Sequence, residues 1–314
     1  MISKQRAEMI REMAEKIGIK ATAKKLKLNT ESVTRYARRA VQDTKHLPKV
    51  LVFDIETSNI LARTWGIWQQ NVGLNQIKED WFVLSWAAKW LDSDEVMYED
   101  LRGRINRKDN PHPKGHLDLD LLDKIWRLLD AADIVITQNG IKFDSKKLNA
   151  RFIMNGYQPP SGYKHIDTLK IAKRKFAFTS NKLEFMTDKL CTKYKKLKHK
   201  NFPGQELWNE CYADNPEAWE EMELYNRHDV LSLEELYYIL APWDDRHPNF
   251  NLYTEGDGHV CRCGSSEFVR KGYAYTQVSK FQRYRCVKCG AETRGRQNLF
   301  TKEERAELNV NIYG

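Results

Sequence analysis

No run of about 18 apolar residues occurs in the 314-residue chain, so the sequence offers no helix that could span a bilayer, and no membrane partner is expected. An export signal is missing too. Met1-Ile2-Ser3-Lys4-Gln5-Arg6 leads into a charged helical pattern instead of an apolar core, and a cytoplasmic location is therefore expected. Cysteine is scarce: there are six, and four of them fall in two close pairs, which in a reducing compartment read as metal ligands before disulfides. Acidic residues are short at both ends. Residues 1–50 hold 13 Lys/Arg against 5 Asp/Glu, and residues 256–314 hold 11 against 6, which leaves residues 51–255 with 28 against 32. An acidic middle repels a polyanion until cations occupy its carboxylates, while basic ends can hold a phosphate backbone; the bland alternative is that the charges only confer solubility. What is present otherwise is ordinary for a globular protein of about two domains, with 41% hydrophobic residues and a mean hydropathy of −0.69.

The chain is organised around Leu51-Val52-Phe53-Asp54-Ile55-Glu56-Thr57. Side chains alternate along a strand, so Asp54 and Glu56 share one face at the strand's end while Phe53 and Ile55 enter the core. Two carboxylates that close repel each other unless a divalent cation bridges them. Taken alone, the pair could equally be a solvated strand end. Two later stretches extend it: Asn139-Gly140-Ile141-Lys142-Phe143-Asp144 follows the apolar run Ile134-Val135-Ile136, and Tyr225-Asn226-Arg227-His228-Asp229 lies in a strongly periodic helix. Tyr225 and Asp229 are one helical turn apart and face the same way.

In that order, D-x-E, N-x-x-x-F-D and Y-x-x-x-D resemble the three exonuclease motifs of the DEDD superfamily of 3′→5′ exonucleases. The N-x-x-x-F-D form is most similar to the proofreading domain of B-family DNA polymerases. The sibling subclass would carry a histidine five residues before Asp229, where this chain has Leu224, so the tyrosine type is indicated. The resemblance covers residues 48–242. It implies a ribonuclease H-like mixed α/β sheet flanked by helices, with Asp54, Glu56, Asp144 and Asp229 binding two Mg²⁺ or Mn²⁺ ions about 3.5–4 Å apart. It also implies that Tyr225 orients the attacking water, a role suited to a phenol of pKa about 10. Asn139 is expected to stabilise its turn and, by resemblance, to help bind nucleic acid or to support the metal ligands from behind. Phe143 reads as core, although the family's equivalent aromatic lies beside the substrate. The implied product is a nucleoside 5′-monophosphate, and DNA is the expected partner.

The flanks read separately. Residues 1–45 pattern as three short helices, with Gly18 as a stop, Asn29 or Thr30 as a cap, and Arg35, Arg38 and Arg39 on the last; they resemble a helix-turn-helix, or form a plain interaction module. Residues 43–49 and 241–248 read as linkers. Trp65, Trp68, Trp81, Trp86 and Trp90 read mostly as core, residues 102–116 as a loop flanking the cleft, and the basic run 193–200 as a rim or a solvated loop. Asp167 reads as a helix cap and stays outside the metal set. Cys261-Arg262-Cys263 and Cys286-Val287-Lys288-Cys289-Gly290 read as a zinc ribbon spanning 255–298, with structural Zn²⁺ and a tail over 299–314. The first pair is C-x-C where C-x-x-C is usual, so His259 is a possible substitute ligand. The ribbon is similar to those of transposases and phage proteins, and Arg283 and Arg285, with Arg294 and Arg296, could grip nucleic acid; a protein partner is the alternative.

The three-part layout resembles phage-encoded predicted exonucleases, which would place the protein in the host cytoplasm. Too few residues follow 242 for a polymerase domain, so proofreading is expected to act in trans, with a replication or recombination protein as a candidate partner. Three other readings stay open: a ribonuclease on the same core, a DNA-binding or recruitment protein with an inactive core, and transposase-like strand transfer, which the tyrosine motif does not fit.

Overall fold

The computed structural model describes residues 4–38, 47–68, 71–91, 93–105, 117–195, 197, 201–253, 259–310 and 312. Arg39, the side chains of Arg35 and Arg38, most of the 102–116 loop and half of the 193–200 run lie outside the described residues. Among those described, residues 4–38 form one compact unit, and residues 47–253 with 259–312 form the other. No helix among them is long and apolar enough to cross a membrane.

The first unit is α1 (Lys4–Ile17), α2 (Ile19–Leu26) and α3 (Thr30–Arg38). Its core is small: Ile10, Ala14, Ala23 and Val33, with Ile19, Leu26 and Leu28 against them. Gly18 ends α1 at φ +81°, a left-handed conformation that glycine adopts without penalty. Asn29 caps α3 by accepting a 2.7 Å hydrogen bond from the Ser32 amide.

The second unit begins with β1 (Val50–Thr57), the short pair β2 (Leu61–Ala62) and β3 (Ile77–Glu79), then β4 (Val83–Trp90) and β5 (Met97–Asp100). It continues through α4 (Leu119–Ala131), β6 (Ile134–Thr137), α5 (Asp144–Met154), β7 (Lys164–Asp167), α6 (Thr168–Lys175), α7 (Leu183–Leu190), α8 (Glu206–Tyr212) and α9 (Pro216–Leu240). The main sheet has the order β5-β4-β1-β6-β7. β1 pairs antiparallel with β4 and parallel with β6, so the strand bearing Asp54 and Glu56 lies at the centre of a mixed sheet. Parallel neighbours need crossovers, and α4 and α5 supply them.

Both faces of the sheet are covered. Leu51, Phe53 and Ile55 join one core with α4, α5 and the first half of α9; Val50 and Val52 join another with α6, α7 and the second half of α9. Strand alternation therefore puts Asp54 and Glu56 on the Val50–Val52 face, just past its apolar part. α9 runs 25 residues, about 37 Å at the α-helical rise, from a start set by Pro216 and the Asn215 side chain, which accepts from the Glu217 amide.

Trp86 is core, its indole donating to the Leu121 carbonyl at 3.1 Å, but Trp65 and Trp68 are 98% and 81% exposed. Those two lie on the connection between β2 and β3, outside the layers of sheet and helix. The 241–248 stretch is also no loose tether. Asp244 is buried and paired with Arg174, and Phe250 enters the core. Arg262 of the first cysteine pair donates to the carbonyls of Ala241 and Asp244, and Asn251 bonds both the amide and the carbonyl of Val260. Beyond this seam come β8 (Phe268–Thr276), β9 (Ser279–Cys286), β10 (Glu292–Asn298) and α10 (Lys302–Ala306), the strands forming an antiparallel sheet in the order β10-β9-β8.

One buried ion pair joins α4, α5 and β4. Arg151 donates to both oxygens of Asp118, at 2.9 and 2.5 Å, and Asp118 also accepts from the Val83 amide at 2.9 Å; both residues are almost fully buried. Removing one member leaves the other charge in the core, at a typical cost of 3–5 kcal/mol. Asp118→Ala is expected to lower the urea-unfolding free energy by about that much. Asp123→Ala, which removes only the exposed pair with Arg127, is expected to change it by less than about 1 kcal/mol.

Candidate active site

Three elements meet where β1 ends. Asp144, the first residue of α5, is buried and accepts the Ile55 amide at 3.2 Å, which draws the start of α5 onto the strand. From α9, Asn226 donates to Asp54 at 2.8 Å and accepts from the Ser85 hydroxyl at 3.2 Å. The Trp208 indole of α8 donates to Glu56 at 3.0 Å, and its ring meets Tyr225 edge-on at 6.2 Å. Tyr225 hydrogen-bonds Asp229 one turn further along α9.

Electrostatics reports the same convergence. Burial, followed by the charges of Asp229, Glu56 and Asp54, pushes the Tyr225 hydroxyl far above its ordinary pKa. The phenol stays protonated, a hydrogen-bond donor and not a base. Burial also lifts the Asp144 carboxyl to about 7, against the lowering effect of backbone N–H bonds from its own residue and Ile55, with the Asp167 charge raising it further. Asp54, Glu56, Asp144 and Asp229 are thus brought to one end of the sheet. They are not drawn as tight as a single-ion cage: among the described residues, the four cysteines are the only group of three or more His, Cys, Asp or Glu whose ligating atoms all lie within 4.8 Å of one another.

The turn before Asp144 is rigid. Asn139 has φ +65° and accepts from the amides of Lys142 and Phe143 at 3.0 and 3.1 Å. A Cβ on Gly140 would lie 2.2 Å from the Thr137 hydroxyl oxygen, so only glycine fits. Asp167 caps α6 by accepting from Leu169 and Lys170, and its carboxylate also takes the Asn139 and Ile141 amides at 3.0 and 3.4 Å. Phe143 is 40% exposed and not core, because the turn aims it away from the sheet. Lys147 sits 3.6 Å above the Trp81 ring and 5.7 Å from the Phe143 ring. Two hollows of about 540 and 410 Å³ share Asn139, Leu169 and Lys173, and their walls add Lys142, Lys170, Lys182 and Arg246.

Neither Trp208 nor Asn226 was expected from the sequence. Asn226 carried a signal, a polar residue on the buried face of α9 three positions from Asp229. Trp208 carried none, because only the folded chain brings α8 to Glu56.

In the C-terminal sheet, Cys261, Cys263, Cys286 and Cys289 converge, with sulfur separations of 3.4 Å (Cys261–Cys289) and 3.6 Å (Cys263–Cys286). A tetrahedral Zn²⁺ with bonds of about 2.3 Å wants sulfurs about 3.8 Å apart, so the thiol set fits that ion. Burial pushes the Cys286 thiol up, but the Cys289 amide, the Cys263 and Cys261 thiols and the Lys288 amide outweigh it and bring it to about 7. The C-x-C pair closes the set without His259, whose ring packs on Tyr284 and Phe268. Arg283 and Arg285 both pair with Glu292, at 3.5 and 2.6 Å.

A mixed sheet in this order, with carboxylates at the end of its central strand, defines a ribonuclease H-like protein. The family described as RNase_H superfamily matches residues 51–241, and the chain belongs to that superfamily. No curated protein matches the sequence.

The four carboxylates form an oxygen donor set suited to Mg²⁺ or Mn²⁺. Asp144 sets the pH dependence. An acid whose folded pKa is raised contributes stability below the ordinary carboxylate range, and that stability is lost as pH rises through about 7. An ion that binds the ionised form restores it. Mn²⁺ is therefore expected to raise the melting temperature more at pH 8 than at pH 6, and Asp144→Asn to remove that difference. A gain that is flat across this range would count against Asp144 as a ligand.

Proposed function

We propose that the protein is a metal-dependent 3′→5′ exonuclease that removes nucleoside 5′-monophosphates from single-stranded 3′ ends, DNA first. The observation that carries this reading is the Tyr225 hydroxyl, hydrogen-bonded to Asp229 and under the charges of Glu56 and Asp54. Asp54, Glu56, Asp144 and Asp229 would hold two Mg²⁺ or Mn²⁺ ions, which supply Lewis-acid activation of the attacking water and charge stabilisation of the leaving 3′ oxygen. Asn226 and Trp208 fix the rotamers of Asp54 and Glu56, so those carboxylates need little reorganisation. Tyr225 donates to Asp229 in the resting site; its protonated hydroxyl can orient water or a phosphate oxygen, and removing a proton from water falls to another group. Hydrolysis breaks the P–O3′ bond, adds the water oxygen to phosphorus and leaves the proton on the 3′ hydroxyl.

Direction is supported by the order of the three motifs and by the exposed Phe143 ring beside Asn139, which offers a face to a terminal base. The lysine-lined hollows around Asn139 suit the phosphates of the incoming strand. A helix-turn-helix role for α1–α3 belongs to the same proposal: a three-residue turn between an eight-residue and a nine-residue helix supports it.

The test is digestion of 5′-labelled single-stranded DNA and RNA of matched sequence with Mg²⁺, Mn²⁺ or EDTA. A metal-dependent ladder shortening from the 3′ end is expected, strongest on DNA. Asp54→Ala and Asp229→Ala should abolish it, and Tyr225→Phe should slow it about a hundredfold, the scale of a mispositioned reactant. Internal cuts, or a ladder that survives Asp54→Ala, would overturn the exonuclease; RNA cleaved faster than DNA would change its substrate.

A further inference from the structure

The two faces of the ribbon sheet are chemically different. Directly opposed residues of an antiparallel ladder share a face. Tyr275 opposes Lys280, Tyr273 opposes Gln282, and Arg270 opposes Tyr284. On the other face, Arg294 opposes Arg283 and Glu292 opposes Arg285, which places the Glu292 pairs there. The first face is therefore the one that carries exposed tyrosine rings away from the Glu292 ion pairs. Tyr273 and Tyr275 are 42% and 67% exposed, with ring centroids 6.5 Å apart. Lys280 stands 4.1 Å from the Tyr273 ring centroid, and Arg270 is exposed on the same face.

We propose that this Tyr273–Tyr275–Lys280 face is a platform for single-stranded nucleic acid, separate from the carboxylate site. Unpaired bases stack on the two tyrosines, while Lys280 and Arg270 meet the phosphates. Charge selects the occupant: residues 259–298 carry nine Lys/Arg against two Asp/Glu. Exposed rings set in such an excess of positive charge suit a polyanion whose bases offer flat π faces, and a duplex keeps those faces covered. Protein interfaces, by contrast, are depleted of charge at their centres. The assignment moves nucleic-acid contact from Arg283 and Arg285, which are held by Glu292, to the opposite face.

The test uses the full chain and needs no cleavage, so an inactive core leaves it intact. Fluorescence anisotropy is measured on a labelled oligothymidylate of about 20 nucleotides, long enough to cover one such platform and its neighbours. No Mg²⁺, Mn²⁺ or chelator is added, and excess unlabelled duplex occupies any duplex-binding surface. Tyr273→Ala with Tyr275→Ala should weaken binding roughly 10- to 100-fold, while Tyr273→Phe with Tyr275→Phe should stay within about twofold. Lys280→Gln should reduce the slope of log K against log salt by about 0.7. Zinc content and unfolding midpoint, measured on every variant, show whether the ribbon is still built. Unchanged affinity in the double alanine variant overturns the proposal and leaves the face to a protein partner. An equal loss in the phenylalanine and alanine variants also overturns it, since phenylalanine keeps the stacking surface.

Discussion

Like-charge repulsion at the end of β1 is the constraint on which the second unit depends. Asp54 and Glu56 come from one strand, Asp144 from the start of α5 and Asp229 from the middle of α9, so folding the sheet and docking the helices forces the carboxylates together. The chain offsets this locally with neutral donors: the Ile55 amide for Asp144, Asn226 for Asp54, Trp208 for Glu56 and the Tyr225 hydroxyl for Asp229. Neutral donors hold the carboxylates without cancelling their charge, which keeps the site suited to a divalent ion. A lysine or arginine in their place would stabilise the empty protein and spoil the site.

The same residue type does different work elsewhere in the unit. Asp118 neutralises buried Arg151 and takes the Val83 amide, tying α4 and α5 to the sheet. Asp167 takes four backbone amides and fixes the Asn139 turn. Sequence propensity alone does not separate Asp118 from Asp144, and it marks Asp167 only by its place directly before a helix. Their neighbours decide, a cation in one case and a cluster of N–H groups in the other, while Asp144 receives only enough hydrogen bonding to soften the effect of its burial.

This explains which parts were legible in the sequence. The central strand, the Asn139 turn and the Tyr225–Asp229 helix face could be read because period-two and period-3.6 patterns fix where their side chains point. Asp167 was legible as a cap because a capping aspartate sits directly before its helix. What escaped depended on tertiary packing. The contact of Trp208 with Glu56 links positions 152 residues apart. Exposure of Phe143, Trp65 and Trp68 runs against the usual burial of aromatic rings, and only the layer arrangement reveals it. The stretch after Leu240 read as a linker because it lacks periodicity, yet Asp244 and Arg262 turn it into a seam between core and ribbon.

That seam bears on how the second unit works. The ribbon is too small to bury much apolar surface, and its described core is little more than Cys261, Cys286 and Ala291 with their neighbours. Its stability must come from the bonds to the Ala241–Asp244 segment and, with an ion bound, from the thiol set, not from sheet packing. A sheet stabilised at its base in this way can leave side chains on both faces exposed to solvent. One face uses that freedom to pair Arg283 and Arg285 with Glu292; the other presents tyrosines beside Lys280. Because Arg262 anchors to the chain leaving α9, the helix that carries Tyr225 and Asp229 is joined through a short hydrogen-bonded path to the base of the ribbon. The four-cysteine sheet is therefore built onto the end of the helix that supplies the last carboxylate.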